Sequence, residues 1–270
     1  MAGDLTTLDR VKLYLGLKDE NTNSDLLLSR LVTAVSGAVL NYVGRATFGV
    51  QEFADVYDGS GKDFMLLRQW PVLSVSAVDC FGTTIRPSPD TTRWPPASGF
   101  VVESMESAGG GQQRLNLYGY CFPNGRSSVR VTYTAGYQTL DEPATVPTDA
   151  PYQVDPQLVW ISDLGVTLAD GTPLTKVSGS PGAMQYQLQG ALYTFNAAQA
   201  GVDVLISYSS VPPDVDEATV EMVAEAFKRK DRLGIVSQSV GGQETVTYSQ
   251  KDMSDVNKLA LNPFRRVTPT

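Results

Sequence analysis

The sequence predicts an α+β fold. It comprises a small α-helical bundle (two N-terminal helices plus one late helix), a β-rich region, and an inserted small β-sandwich or barrel domain. Three observations carry this reading. Apolar residues recur at helical spacing near the N-terminus and again past residue 212. From about residue 50 the period drops to two, with turn pairs such as Asp170-Gly171 and Pro181-Gly182 between short apolar runs. A strand ending is also written twice, in SVRVTYTAGYQTLDEPATVP and in DVLISYSSVPPDVDEATVEM, and a helix follows only the second copy.

Residues 6–17, TTLDRVKLYLGL, form a short helix in this reading, with Thr6 as N-cap, Asp9 three residues on, and Leu8, Val11 and Leu15 on one face. In SDLLLSRLVTAVSGAVLNYVGR a second helix places Leu28, Leu31, Val32, Val35, Ala38, Val39, Tyr42 and Val43 on one stripe. Ser29, Arg30, Thr33, Ser36 and Asn41 lie mostly opposite; Ser24 caps the start and Gly44 marks a left-handed stop. VQEFADVY then runs into the turn signal Asp58-Gly59-Ser60-Gly61, with FMLL as the returning strand. Strands follow in RQWPVLSVSAV and CFGTTI, and RPSPDTTRWPPASG, with four prolines, is a loop. GFVVES, RLNLYGY and SVRVTYTAGY give three more strands, broken by Gly109-Gly110-Gly111.

Residues 138–157, rich in Pro, Thr and Asp, read as a linker or boundary. Beyond it VWISD, GVTLADGTPLTKV, MQYQLQGALYTF and VDVLISYSS are short strands of a sandwich or barrel. PPDVDEATVEMVAEAFKRKDRLG is the third helix: Asp214 with Glu217 as a capping box, Val215, Ala218, Met222, Ala226 and Phe227 as the apolar face, Gly234 as the stop. The tail offers one strand, a short amphipathic helix ending at Asn262-Pro263, and the basic end Phe264-Arg265-Arg266.

Composition excludes several classes of function. Hydrophobic residues are 42% and charged residues 19%, a globular balance. No apolar run approaches the roughly 20 residues that span a bilayer, and MAGDLTTLDR lacks a signal-peptide core, so a soluble chain outside the standard secretory route is expected. The net charge of −8 repels nucleic acid over most of the surface, while a smooth acidic channel that DNA passes without sticking stays compatible with it. There is no histidine, which removes Ser-His-Asp and Cys-His nucleophile systems and imidazole zinc sites. Cys80 and Cys121 cannot build a four-thiolate zinc cluster; a single disulfide stays open, with buried small apolar groups the favoured reading.

Local motifs give no catalytic, cofactor or metal residue. Gly59-Ser60-Gly61-Lys62 fails the phosphate-loop pattern twice, because Val56 and Asp63 stand where it needs Gly and Ser or Thr. Asp55, Asp58 and Asp63 lack calcium-loop spacing. The pairs Glu103/Glu106 and Asp214/Asp216 with Glu217 cap or solvate their elements more readily than they do acid–base work. Phe264-Arg265-Arg266 can anchor a partner, the ring filling a pocket and the guanidinium groups directing hydrogen bonds, or can be a solvated end; both stay open.

The ordered elements resemble a known pattern. LDRVKLYLGL, LLSRLVTAVSGAVLNYVGR ending near Phe48, VYDGSGKDFMLLRQWPVLSVSAV, VRVTYTAGY and the Pro-led PPDVDEATVEMVAEAFKRKDRLG are together similar to the head–tail connector (adaptor) proteins of long-tailed double-stranded DNA phages. The similarity covers roughly residues 5–137 and 211–266. In that family the strand end is followed almost directly by the helix, whereas here about 75 residues separate Tyr133 from its echo Tyr208. A β module therefore looks inserted in an exposed loop, which requires that its two ends lie close together. The resulting organisation is a helical adaptor core at 1–50 and 211–236, a β-rich hairpin region at 51–137, an inserted β domain at 138–210 and a C-terminal arm at 237–270.

The resemblance implies a structural, non-enzymatic virion protein without cofactor, at the head–tail junction and in host cytoplasm during assembly. Its implied partners are copies of itself in a ring, commonly twelvefold, the portal protein, and a stopper or tail-completion protein; DNA passes the channel without specific binding, and no membrane is involved. Leu259, Leu261, Phe264, Arg265 and Arg266 would form the portal-contacting arm. Two alternatives remain: a carbohydrate-binding tail or baseplate β protein stacking sugars on Trp70, Trp94 and Trp160, and another neck component (stopper or tail terminator).

Overall fold

The computed structural model describes residues 3–18, 20, 22–104, 113–230, 237–240, 244–247 and 253–266. The chain divides into two compact units, Met1–Ala46 with Val211–Arg265, and Thr47–Ser210 with Arg266–Thr270.

In the first unit helix α1 (Leu8–Leu15) is capped one residue later than expected. Thr7, in extended backbone, accepts the Arg10 N–H on its Oγ1 at 3.4 Å, while Thr6 is buried. Helix α2 (Asp25–Val43) starts at Ser24, which makes no side-chain cap bond, and stops at Gly44 with φ 70°. Ser36, expected on the outward side, is buried because its Oγ accepts the Leu5 N–H at 2.9 Å, a donor upstream of α1. By length and composition α2 could cross a bilayer, a correction to the expectation that no run comes near. Here its Leu28 and Val32 are buried inside the unit.

Helix α3 (Pro213–Arg229) brings Val220 and Val223 into one core with Val11, Leu28 and Val32. Each such buried side chain contributes roughly 1.5–3 kcal/mol relative to exposure. The N-terminal helices and the late helix therefore form one scaffold from distant sequence. Pro213 occupies the first helical position, where its missing N–H costs nothing, and Pro212 stands at the cap. The expected Asp214–Glu217 capping box is absent; instead the acids of the first turn complement the helix dipole. Asp216 is buried and accepts from Arg10 Nη1 at 2.5 Å, tying α3 to α1. Gly234 lies outside the described residues.

The second unit contains two small sandwiches. The first is built from β1 (Gln51–Gly59), β2 (Phe64–Leu66), β3 (Val72–Cys80), β4 (Thr83–Ile85), β5 (Gly99–Ser104), β6 (Gln113–Tyr118) and β7 (Gly125–Ala135). Its antiparallel sheets run β1-β7-β3-β4 and β2-β6-β5, so β2 does not return along β1 as the turn signal suggested. The turn leans on another segment instead. Gly61 N–H donates to Phe122 O at 3.0 Å, and a Cβ on Gly59 would sit 1.8 Å from Pro123 O. Tyr57, Val78, Val129, Val131 and Tyr133 pack from one sheet against Met65, Phe100, Leu115 and Leu117 from the other.

The second sandwich consists of β8 (Gln138–Thr145), β9 (Gln153–Val154), β10 (Trp160–Leu168), β11 (Thr175–Val177), β12 (Gln185–Gln189), β13 (Leu192–Phe195) and β14 (Asp203–Ser210). Its sheets run β10-β14-β8 and β11-β12-β13-β9 around Val146, Val166, Tyr186, Tyr193, Phe195, Val204, Ile206 and Tyr208. The expected linker at 138–157 is thus corrected, since β8 and β9 lie within it. Its ends meet: Gln138 lies opposite Ser209, Ser210 N–H donates to Tyr137 O at 3.2 Å, and Val50 N–H donates to Ser209 Oγ at 3.2 Å. Both cysteines are free; Cys80 is half-buried, but Cys121 is exposed, contrary to the buried reading.

The tail of the first unit holds an antiparallel pair, β15 (Ser237–Val240) and β16 (Glu244–Thr247), where one strand was expected. Helix α4 (Asp255–Leu261) follows, then a 3₁₀ turn Asn262–Phe264.

Candidate functional site

The residues expected to form a contact arm lie on α4 and the turn after it. Ser254 caps the helix by accepting the Asn257 N–H at 3.0 Å. Four-residue spacing then separates two faces. Asn257 and Leu261 are buried, whereas Val256 and Leu259 are 70% and 73% exposed. Leu261 is therefore held inside its own unit. Asn262 and Phe264 return to α2: Tyr42 Oη donates to Asn262 Oδ1 at 2.8 Å, and Arg45 Nε donates to Phe264 O at 2.7 Å. The Arg265 guanidinium stands 5.5 Å from the Tyr42 ring centre, a cation–π contact, and Arg266 is exposed. Sequence reasoning missed Arg45 as a tail contact and counted Tyr42 as core; the backbone acceptor at Phe264 leaves no residue-type signal. Further exposed apolar side chains in this unit are Leu13 and Tyr14 on α1 and Leu26 on α2.

Three carboxylates on strands of the second unit are bonded internally. Asp55 accepts from Tyr133 Oη at 2.8 Å and Tyr57 Oη at 3.1 Å, with Arg68 Nη1 3.5 Å away. Asp163 repeats the arrangement, accepting from Tyr186 Oη at 2.8 Å and Tyr193 Oη at 3.1 Å beside Lys176 Nζ at 3.2 Å. Glu142 accepts from Tyr208 Oη at 2.5 Å and Gln157 N–H at 3.0 Å. Burial pushes the Tyr57 and Tyr208 phenols up to about 12, and Tyr133, Tyr186 and Tyr193 rise for the same first cause. Kept protonated, these phenols act as donors that fasten strands.

Other candidate residues do not converge. Asp58 accepts the Ser127 N–H at 2.6 Å, and Gly59 N–H donates to Ser128 Oγ at 3.0 Å, so this turn uses its polar groups within the protein. Glu103 pairs with Tyr118 and Arg114; Glu106 lies outside the described residues. Among the described residues no group of three or more Cys, Asp and Glu could hold a metal ion. Of the tryptophans, Trp70 is buried, Trp160 Nε1 donates to Tyr193 Oη at 3.2 Å, and Trp94 is 88% exposed, so they form no shared platform.

No family model matches the chain, and no curated protein matches it. Among solved structures it is similar to a chain of the neck of an empty GTA particle computed with C6 symmetry. The TM-score is 0.39 at 14% identity, covering 98% of this chain and 92% of that one. A likeness at this level assigns no role by itself.

Proposed function

We propose that this chain is a structural component of the neck of a tailed-phage-like particle, and more finely a ring-forming adaptor between the portal and a stopper or tail. One observation carries the reading. Helices from both ends of the sequence close into a single scaffold through Val11, Leu28, Val32, Val220 and Val223, and that scaffold exposes Leu13, Leu26, Val256 and Leu259. Exposed apolar residues of this size on helices suit burial against neighbouring subunits. The sequence resemblance supports the same role. The net charge of −8 suits a channel wall that does not retain DNA, and the reading involves no catalytic step and no cofactor. Exposed Leu259, with Phe264 and Arg265 beside it, is the portal-contacting element in this view, while Leu261 holds α4 in place.

The test is to locate the protein in purified particles by labelling and imaging, and to measure binding to isolated portal rings. A ring at the head–tail junction is expected. Absence from particles, or a position only at the distal tail tip, would overturn the reading.

A further inference from the structure

Outside the helical scaffold, the β1-β7-β3-β4 sheet ends in a cleft of about 440 Å3 lined by Val56, Asp79, Phe81, Ser127, Ser128 and Arg130. Val56, Arg130 and Asp79 lie side by side across β1, β7 and β3. Asp79 and Arg130 face each other in register yet form no ion pair; Asp79 accepts from Thr84 Oγ1 at 2.6 Å. Among the described residues the Arg130 guanidinium has no side-chain hydrogen bond or ion pair.

Phe81 is the residue the fold explains least. With Gly82 it makes the two-residue turn between β3 and β4, at φ 47° and 80°. This turn favours Asn, Asp or Gly at its first position, and a bulky side chain there is an outlier. The core gains nothing in return, because Phe81 is 68% exposed. Its ring is nonetheless seated. A Cβ on Gly125 would lie 3.2 Å from Phe81 Cζ, and Phe81 N–H donates to Ser128 O at 2.9 Å. Ser127, across the mouth, is also held at positive φ, 50°. Backbone strain at two lining residues of one cleft points to a binding role.

The lining selects the ligand. An anion would meet the Asp79 carboxylate and a cation the Arg130 guanidinium, whereas a neutral polyol uses both, as acceptor and as forked donor. The exposed Phe81 face suits the C–H face of a pyranose ring. We propose that this cleft binds a neutral saccharide, with Phe81 as stacking surface and Asp79 and Arg130 directing its hydroxyls. This site is separate from the three tryptophans and from the helical scaffold, so its failure would leave the neck reading untouched.

The experiment titrates the full chain with maltotriose, cellotriose and chitotriose by saturation-transfer NMR, with 3′-sialyllactose as the anionic control. Saturable binding of at least one neutral trisaccharide and none of the control is expected. Phe81→Asn should weaken that binding by about tenfold or more while leaving Tm equal or higher, because Asn suits the left-handed turn. Arg130→Gln should weaken it by about threefold or more, and Trp94→Ala should match the wild type. The proposal is overturned by absence of saturable neutral binding, by equal binding of the control, or by unchanged affinity in Phe81→Asn. A fall in Tm in Phe81→Asn would also overturn it, since the ring would then serve folding.

Discussion

Among the described residues, tyrosine hydroxyls are recurrent partners of carboxylates on the strands. Asp55, Asp163 and Glu142 each accept at least one such bond, and the strands carrying the partners are thereby fixed. Tyr133→Phe would leave Asp55 short of a donor, at a cost of about 1–3 kcal/mol in a denaturant titration. The raised phenols set a pH dependence. Tyr57 ionises near 10 when unfolded and near 12 when folded, so its contribution is complete below pH 10 and is lost as pH rises toward 12. Unfolding free energy should thus fall steadily between about pH 10 and 12; a flat profile there would refute the assignment. The sequence pattern marked the strands that carry Tyr57 and Tyr133 without assigning either side chain to a core face. It gave no sign of Arg68 or Gln69, which reach these tyrosines from outside β1 and β7.

At the scale of elements, the helices were legible because their apolar stripes and glycine stops are local, and α2 ends at Gly44 as the pattern requires. Strand β8 was not. Pro143 and the positive φ of Asp141 disguise it, yet both are tolerable on an edge strand with a bulge. Partner choice was likewise invisible: nothing in FMLL says that it joins β6 rather than β1. Two substitutions probe elements directly. Gly59→Ala forces a Cβ against Pro123 O and should cost about 2–4 kcal/mol in thermal or chemical unfolding. Leu261→Ala should cost about 2–5 kcal/mol and speed hydrogen exchange across α4. Leu259→Asp, on the outward face, should change stability by less than about 0.5 kcal/mol yet abolish portal binding. Retained binding would remove α4 from the contact surface.

For the whole molecule, the echo of a strand ending is the sequence feature that suggests an insertion at residues 138–210. The touching ends at Tyr137 and Ser210 meet the physical requirement for that. Joining Tyr137 directly to Ser210 should leave a chain that keeps its far-ultraviolet helical signal and melts cooperatively. A product without a cooperative transition would argue that the second sandwich is integral. What no local pattern could reveal is where strands of each sandwich stack, since that depends on pairings far apart in sequence.

The Val50–Ser209 hydrogen bond has a consequence for synthesis on the ribosome. The first two helices emerge early but lack their third partner until residues past 213 are translated. Meanwhile the intervening stretch can fold as it appears, and in doing so it clasps the chain together at its two exits. The entropic toll of closing so large a loop is then met before α3 arrives. Lesions in the clasp should therefore delay maturation of helices they never touch.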